Sequence, residues 1–292
     1  MAGAMQGRKF RIGVMAPASR LDPAIPQRID SLAAKLFGAE APEIVFHPQC
    51  FLSWGHFAGE DKARTQAFLD IANDDSFDAL WFARGGYGSN RIAMDVLPAL
   101  NPAARRKTYL GYSDTGFLLA GLYKAGFAHV AHGPVVADIS RDNDHGMQGG
   151  EDAVARALRY LVRRDPETLE PSVSQNTRSV AFNMIILSCI IGTGLLPDLS
   201  GHVLMLEETS EHLYAIDRMM FHITASPALR GLAGIRLGRC SAIPENDPPF
   251  GQSEEEIVRH WCSRSGIPYL GRADIGHDIA NKIVPFGPLP AV

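Results

Sequence analysis

The run Phe77-Asp-Ala-Leu-Trp-Phe-Ala83 carries apolar side chains on both faces of a strand. Side chains alternate sides along a strand, so this one must be covered from both sides, as parallel strands packed between helices are. The flanking sequence keeps the matching rhythm. Lys9 to Met15 is a strand candidate ending in the loop Ala16-Pro-Ala-Ser19. Ile29, Leu32, Ala33 and Leu36 mark an amphipathic helix closed by Gly38. Glu43 to His47 is a second strand, and Phe57 to Asp61 opens a helix whose apolar face holds Ala63, Ala67, Phe68 and Ile71. After the 77–83 strand come the loop Arg84-Gly-Gly-Tyr-Gly88, a helix from Ser89 to Leu97 and a strand from Thr108. A helix with Leu118, Leu119 and Leu122 on one face follows, capped by Gly126. His129 to Pro134 is a strand edge or turn, and Glu151 to Arg164 a helix with Val154, Leu158 and Leu161 aligned. This βαβα alternation predicts an α/β domain, residues 1–165, with a doubly wound and mostly parallel sheet.

Pro166 to Ser179 is polar, contains proline and has no periodicity, so 166–179 reads as a linker. Residues 180–292 read as a smaller domain of α+β, β-barrel-like character. It mixes short strands with two helices, one striped by Leu213, Ile216, Met220 and Ile223, the other opened by the capping box at Ser253 and Glu256. A chain of 292 residues accommodates one large or two medium domains. With a net charge of −4 and no basic run, nucleic acid is not expected as a main partner. Cys50, Cys189, Cys240 and Cys262 lie far apart, which fits reduced thiols in a cytoplasm. The first nine residues have no apolar signal core, so export is not expected. The longest apolar run, Met184 to Ile191, is too short to span a membrane, so no membrane role is expected.

Ser113 lies at the strand-to-helix junction of Thr108-Tyr-Leu-Gly-Tyr-Ser-Asp-Thr-Gly116. A serine on such a turn is pushed out of the backbone, beside the unpaired N–H groups of a helix start. The second glycine of the Gly-x-Ser-x-Gly pattern arrives one residue late, at Gly116, and Ser113 and Asp114 are also good helix caps. The loop Arg84-Gly-Gly-Tyr-Gly88 suits a phosphate cradle, a backbone oxyanion donor, or a tight turn that requires positive φ. It matches neither a dinucleotide fingerprint nor a P-loop, and no organic cofactor is expected. No group of histidine, cysteine and carboxylate residues has metal-ligand spacing, and no metal is expected. A serine nucleophile needs a base and the base an orienting acid. All ten histidines are candidates for the base, His132 in Ala-His-Gly-Pro and His277 in Asp274-Ile-Gly-His-Asp278 among them, and Glu207 closes an apolar strand, where a carboxylate is costly unless it is paired or solvated.

Several stretches in order resemble the LD-carboxypeptidase family of serine peptidases, which includes muramoyltetrapeptide carboxypeptidases and microcin-C self-immunity peptidases. They are Phe57-Ala-Gly-Glu-Asp-Lys-Ala-Arg64, Ala83-Arg-Gly-Gly-Tyr-Gly88, Gly111-Tyr-Ser-Asp114, His132-Gly-Pro134, Gly192-Thr193, Leu204-Met-Leu-Glu207, Tyr214-Ala-Ile-Asp-Arg218, Gly276-His277 and Pro285-Phe-Gly287. The resemblance implies a Ser113–Glu207–His277 triad, with an oxyanion hole formed by the backbone N–H groups of Asp114 and of Gly85 or Gly86, Gly85 being favoured. Arg84 is expected to help hold a substrate carboxylate, an inference from its charge, with Gly86 beside it in the substrate-binding set. The implied reaction removes a terminal D-alanine from the L-centre diamino acid of a cytoplasmic murein tetrapeptide, in cell-wall recycling, by a homodimer. Hydrolysis of a peptidyl-nucleotide is the alternative within the family, and a non-catalytic peptide-binding relative the alternative outside catalysis. Where the family shows Gly-Gly-Asn-Leu, this chain has Ala181-Phe-Asn-Met184, which adds bulk to a stretch expected as a loop at the cleft.

Overall fold

The computed structural model describes residues 8–141 and 149–289; the first seven residues of the expected leaderless N-terminus lie outside them. The first sheet is built from β1 (Arg11–Met15), β2 (Glu43–Phe46), β3 (Ala79–Phe82), β4 (Thr108–Gly111) and β5 (Val130–His132). These five pair in parallel. A short strand from the far end of the chain, β10 (Val284–Pro285), adds antiparallel to β5, giving the order β10-β5-β4-β3-β1-β2. The helices between them are α1 (Ile25–Phe37), α2 (Asp61–Ala72), α3 (Ser89–Val96), α4 (Gly116–Lys124) and α5 (Gly150–Arg163).

Every residue of β3 is buried. Ala79 and Trp81 pack into the cluster that holds Ile29 of α1 and Leu158 of α5, while Leu80 and Phe82 pack into the one that holds Phe68, Ile92 and Leu118 of α2, α3 and α4. The two-sided apolar run is thus covered on both faces. Each such large side chain contributes about 1.5–3 kcal/mol by leaving water. The one polar atom of Trp81 donates to the Pro134 carbonyl at 2.8 Å, so nothing polar is stranded there.

The second sheet runs β6 (Arg178–Asn183), β7 (His202–Thr209), β8 (Gly234–Ser241) and β9 (Tyr269–Arg272), all parallel and in that order. With α6 (Met184–Ile190), α7 (Leu213–Ala225) and α8 (Glu254–Ser265) it is an open α/β layer, not the barrel-like arrangement expected. Two helices are expected in this half, α7 and α8; α6 is a third. It was hidden because β6 runs into it with no turn residue between. Asn183 ends the strand and also caps the helix, its side chain accepting from the Ile186 N–H. The capping box at Ser253 and Glu256 forms as expected. The stretch 166–179 holds a single-turn 3-10 helix at Pro166–Thr168, a bridge from Leu169 to Ile283 and the first two residues of β6.

The apolar core does not stop between the sheets. The cluster under α2, α3 and α4 continues through Phe182, Leu204, Leu206, Ile216 and Met220. Gly116 explains the late glycine after Ser113. A Cβ there would stand 2.9 Å from Ile186, so the glycine lets the start of α4 close on α6.

Candidate active site

Ser113 leaves the end of β4 at φ +59°, the left-handed region that non-glycine residues rarely adopt. It begins a 3-10 turn, Ser113–Thr115, that leads into α4. The turn is pinned from below by Asp114, whose buried carboxylate accepts the N–H groups of Ser89 at 2.8 Å and Gly88 at 3.2 Å. The Ser89 hydroxyl also meets this carboxylate. Burial pushes the Asp114 carboxyl above its ordinary range, while these donors pull the other way. The loop after β3 and the turn after β4 are therefore tied together through one buried group. That loop brings Gly85 against the nucleophile candidate. A Cβ on Gly85 would lie 3.0 Å from Ser113 Cβ, 3.1 Å from its Oγ and 3.8 Å from the Asp114 nitrogen. Gly86, at φ +115°, adjoins Ser19 instead.

Glu207 stands on β7, fully buried. Gly238 on β8 makes the room; a Cβ there would come 2.8 Å from the Ile275 carbonyl oxygen and 3.0 Å from Glu207 Cβ. Glu207 Oε2 meets His277 Nδ1 at 2.5 Å, and the His277 side chain is 10% exposed. Burial disfavours the imidazolium, but the Glu207 charge and hydrogen bond outweigh it, so the His277 pKa lies above its ordinary value. His277 Nδ1 thus faces a carboxylate while the ring packs on Tyr112, 4.8 Å between centroids. Ser113, His277, Arg84, Gly85 and Gly86 line one cavity of about 470 Å³. Arg84 is exposed there and has no side-chain partner among the described residues.

His132, the other histidine singled out, is buried 5.5 Å from the Tyr112 ring, with Nε2 3.3 Å from the Asn281 side-chain oxygen. Burial takes its pKa down to about 4, so it is neutral at ordinary pH, and it does not line the cavity. The departure at Ala181 and Phe182 proves to be a core feature and not a cleft loop. Both residues are buried in β6, and Phe182 packs on Phe286 with 5.2 Å between ring centroids. Asp138 and Arg141 also line the cavity, and no sequence motif singles them out. Tyr112 donates to Asp138 at 3.0 Å, and Arg141 donates to Asp138, to the Tyr112 hydroxyl and to the His277 carbonyl. Nothing local marks them, since they meet Tyr112 and His277 only through the fold. No group of three or more histidine, cysteine or carboxylate residues suited to a metal occurs among the described residues.

Residues 12–133 match the LD-carboxypeptidase N-terminal domain, and residues 177–289 match the LD-carboxypeptidase C-terminal domain. The chain belongs to the LD-carboxypeptidase family. It is a serine-type carboxypeptidase, a hydrolase. A relative from Synechocystis sp. is 31% identical over 84% of this chain and 79% of its own length. The murein tetrapeptide carboxypeptidase of Pseudomonas aeruginosa is 25% identical over 95% of this chain and 91% of its own length. Among solved structures, the muramoyltetrapeptide carboxypeptidase of Oxalobacter formigenes shares the fold with a TM-score of 0.75 at 22% identity, covering 94% of this chain and 93% of that one. Among the described residues, no helix is long and apolar enough to cross a membrane.

Proposed function

We propose that the protein cleaves the terminal D-alanine from the L-centre diamino acid of a murein tetrapeptide through a Ser113–Glu207–His277 triad. One observation carries the reading. A histidine held by a fully buried carboxylate at 2.5 Å opens onto the same cavity as a serine at φ +59°. In this mechanism His277 takes the Ser113 proton as Ser113 attacks the peptide carbonyl, and Glu207 stabilises the imidazolium that forms. The Asp114 and Gly85 N–H groups receive the oxyanion. His277 then gives its proton to the leaving amine of D-alanine, and water, activated by the same imidazole, releases the acyl group. Arg84, in the cavity and without a side-chain partner among the described residues, binds the substrate's terminal carboxylate, with Gly86 beside it. The murein substrate is supported by the name of the Pseudomonas aeruginosa relative. Function in cell-wall recycling in the cytoplasm, as a homodimer, completes the proposal. We also take 1–165 and 180–292 as its two units, joined by 166–179.

The test is D-alanine release from a free murein tetrapeptide by the wild type, Ser113→Ala and His277→Ala. Release by the wild type, and losses of about 10³-fold or more in both variants, are expected. Absence of release, with turnover of an aminoacyl-sulfamoyl adenosine instead, would replace this reading by peptidyl-nucleotide hydrolysis.

A further inference from the structure

We propose that Arg141 is a positioning residue that fixes His277 relative to Ser113; the inference rests on the triad reading above. His277 sits between β9 and β10, on a stretch with no helix or strand of its own. Such a segment holds a base in place only if other elements grip it. Two arginines grip its flanks. Arg239 of β8 pairs with Asp274 at 2.5 Å and with Asp278 at 2.9 Å. Arg156 of α5 donates to the carbonyls of Ile279 at 3.0 Å and Asn281 at 2.9 Å. Among the described residues neither donates to Tyr112 or to the turn that carries Ser113.

Arg141 does. Its Nη1 donates to the His277 carbonyl at 2.5 Å, and its Nη2 donates to the Tyr112 hydroxyl at 3.0 Å. Tyr112 is the residue before Ser113. One rigid guanidinium therefore spans from the base's backbone to the nucleophile's neighbour, a fork that a single ammonium cannot reproduce. Asp138 holds that fork in register, accepting from Arg141 Nη2 at 3.1 Å and from the Tyr112 hydroxyl at 3.0 Å. Arg141 also lines the cavity, yet each of its three guanidinium nitrogens already donates to a protein oxygen, whereas Arg84 has no side-chain partner among the described residues. The two arginines divide the work: Arg84 takes the substrate carboxylate, and Arg141 sets the distance between the two reacting groups.

The deciding measurement is the rate at which a small fluorophosphonate, which lacks a carboxylate, labels Ser113. It is set beside kcat and KM for D-alanine release. Arg141→Ala is expected to slow labelling and kcat together by about 10- to 100-fold, with KM within about threefold. Arg141→Lys should fall between the two, and Tyr112→Phe, which removes only the hydroxyl, should show a smaller loss in the same direction. Tyr112→Phe keeps the test decisive if Arg141→Ala does not fold. Labelling at the wild-type rate in Arg141→Ala and Tyr112→Phe, or a loss confined to KM, overturns the positioning role and assigns Arg141 to substrate binding or to neither. A wild type that the probe labels no faster than Ser113→Ala overturns the triad reading itself, and the positioning role with it.

Discussion

Ser113 and His277 reach the same cavity by different routes. Ser113 rides on a strand, turn and helix contiguous in sequence, and the turn is locked by a buried carboxylate one residue away, bonded to the neighbouring loop. His277 rides on an irregular stretch, and its partners come from far along the chain: Glu207 from 70 residues away and Arg141 from 136. The nucleophile end is thus part of the core, held by packing and satisfied hydrogen bonds. The base end is held by charge. Damage to the first should cost stability as well as rate, and damage to the second should cost rate and alter the pH profile while leaving the fold in place.

The largest effect expected after removal of Ser113 or His277 is that of Glu207→Gln. It keeps the shape but not the charge, and should lower kcat by about 10²- to 10⁴-fold with little change in melting temperature. The sign of its pH effect is fixed. Glu207 raises the pKa of His277, and the base must be neutral to act, so the acid limb of kcat/KM should move to lower pH in the variant. An acid limb that stays put would mean that His277 is not the titrating base.

Asp114→Asn comes next. An amide presents N–H donors where the carboxylate accepts from Ser89 and Gly88, so about 1–3 kcal/mol of stability should be lost in urea unfolding, with activity falling alongside. If Asp114→Asn unfolds like wild type while Glu207→Gln is destabilised, the contrast between the two ends is reversed.

Glu208 sharpens the comparison from beside the base. Its carboxyl is buried and accepts from Asn183 Nδ2 at 2.7 Å, the Ile185 N–H at 2.9 Å and the Thr209 N–H at 2.8 Å. Burial pushes it up to about 7. The folded chain then keeps a proton that the unfolded chain gives up near the ordinary glutamate value. Stability should fall as pH rises between about 4.5 and 7, on the order of 1 kcal/mol per pH unit. Glu208→Gln should flatten that slope. An equal slope in both proteins would assign the pH dependence elsewhere.

The smallest structural change is Gly85→Ala. Gly85 has no positive φ, so the backbone tolerates alanine, but the added methyl meets Ser113 at 3.0 Å. A loss of about tenfold in kcat at unchanged melting temperature is expected, on the scale that ångström-level misplacement costs. Full activity would mean that the Gly85 loop gives way to the methyl without displacing Ser113, and that the close approach of the two is not needed for catalysis.

Much of the first half was legible in the sequence because its signals are local. A strand apolar on both faces demands cover on both sides, and the strand, turn and helix around Ser113 are set by neighbours in the chain. The open four-stranded form of the second sheet was not legible. Its strands need partners far apart in sequence, and β6 and α6 abut without the glycine or proline that usually marks a boundary. Ala181 and Phe182 looked like cleft residues because a motif position says nothing about which way a side chain faces; packing on Phe286 decided it.

By itself, then, the sequence determined the chemical groups and the five parallel strands of the first sheet, through alternation, caps and short-range turns, but not the docking of β10 on its edge. Tertiary structure alone decided that His277 meets Glu207, that His132 stays neutral behind Tyr112, and that Arg141 joins the two ends of the site. Those outcomes depend on burial and on contacts between distant segments, and neither quantity exists until the chain has closed on itself.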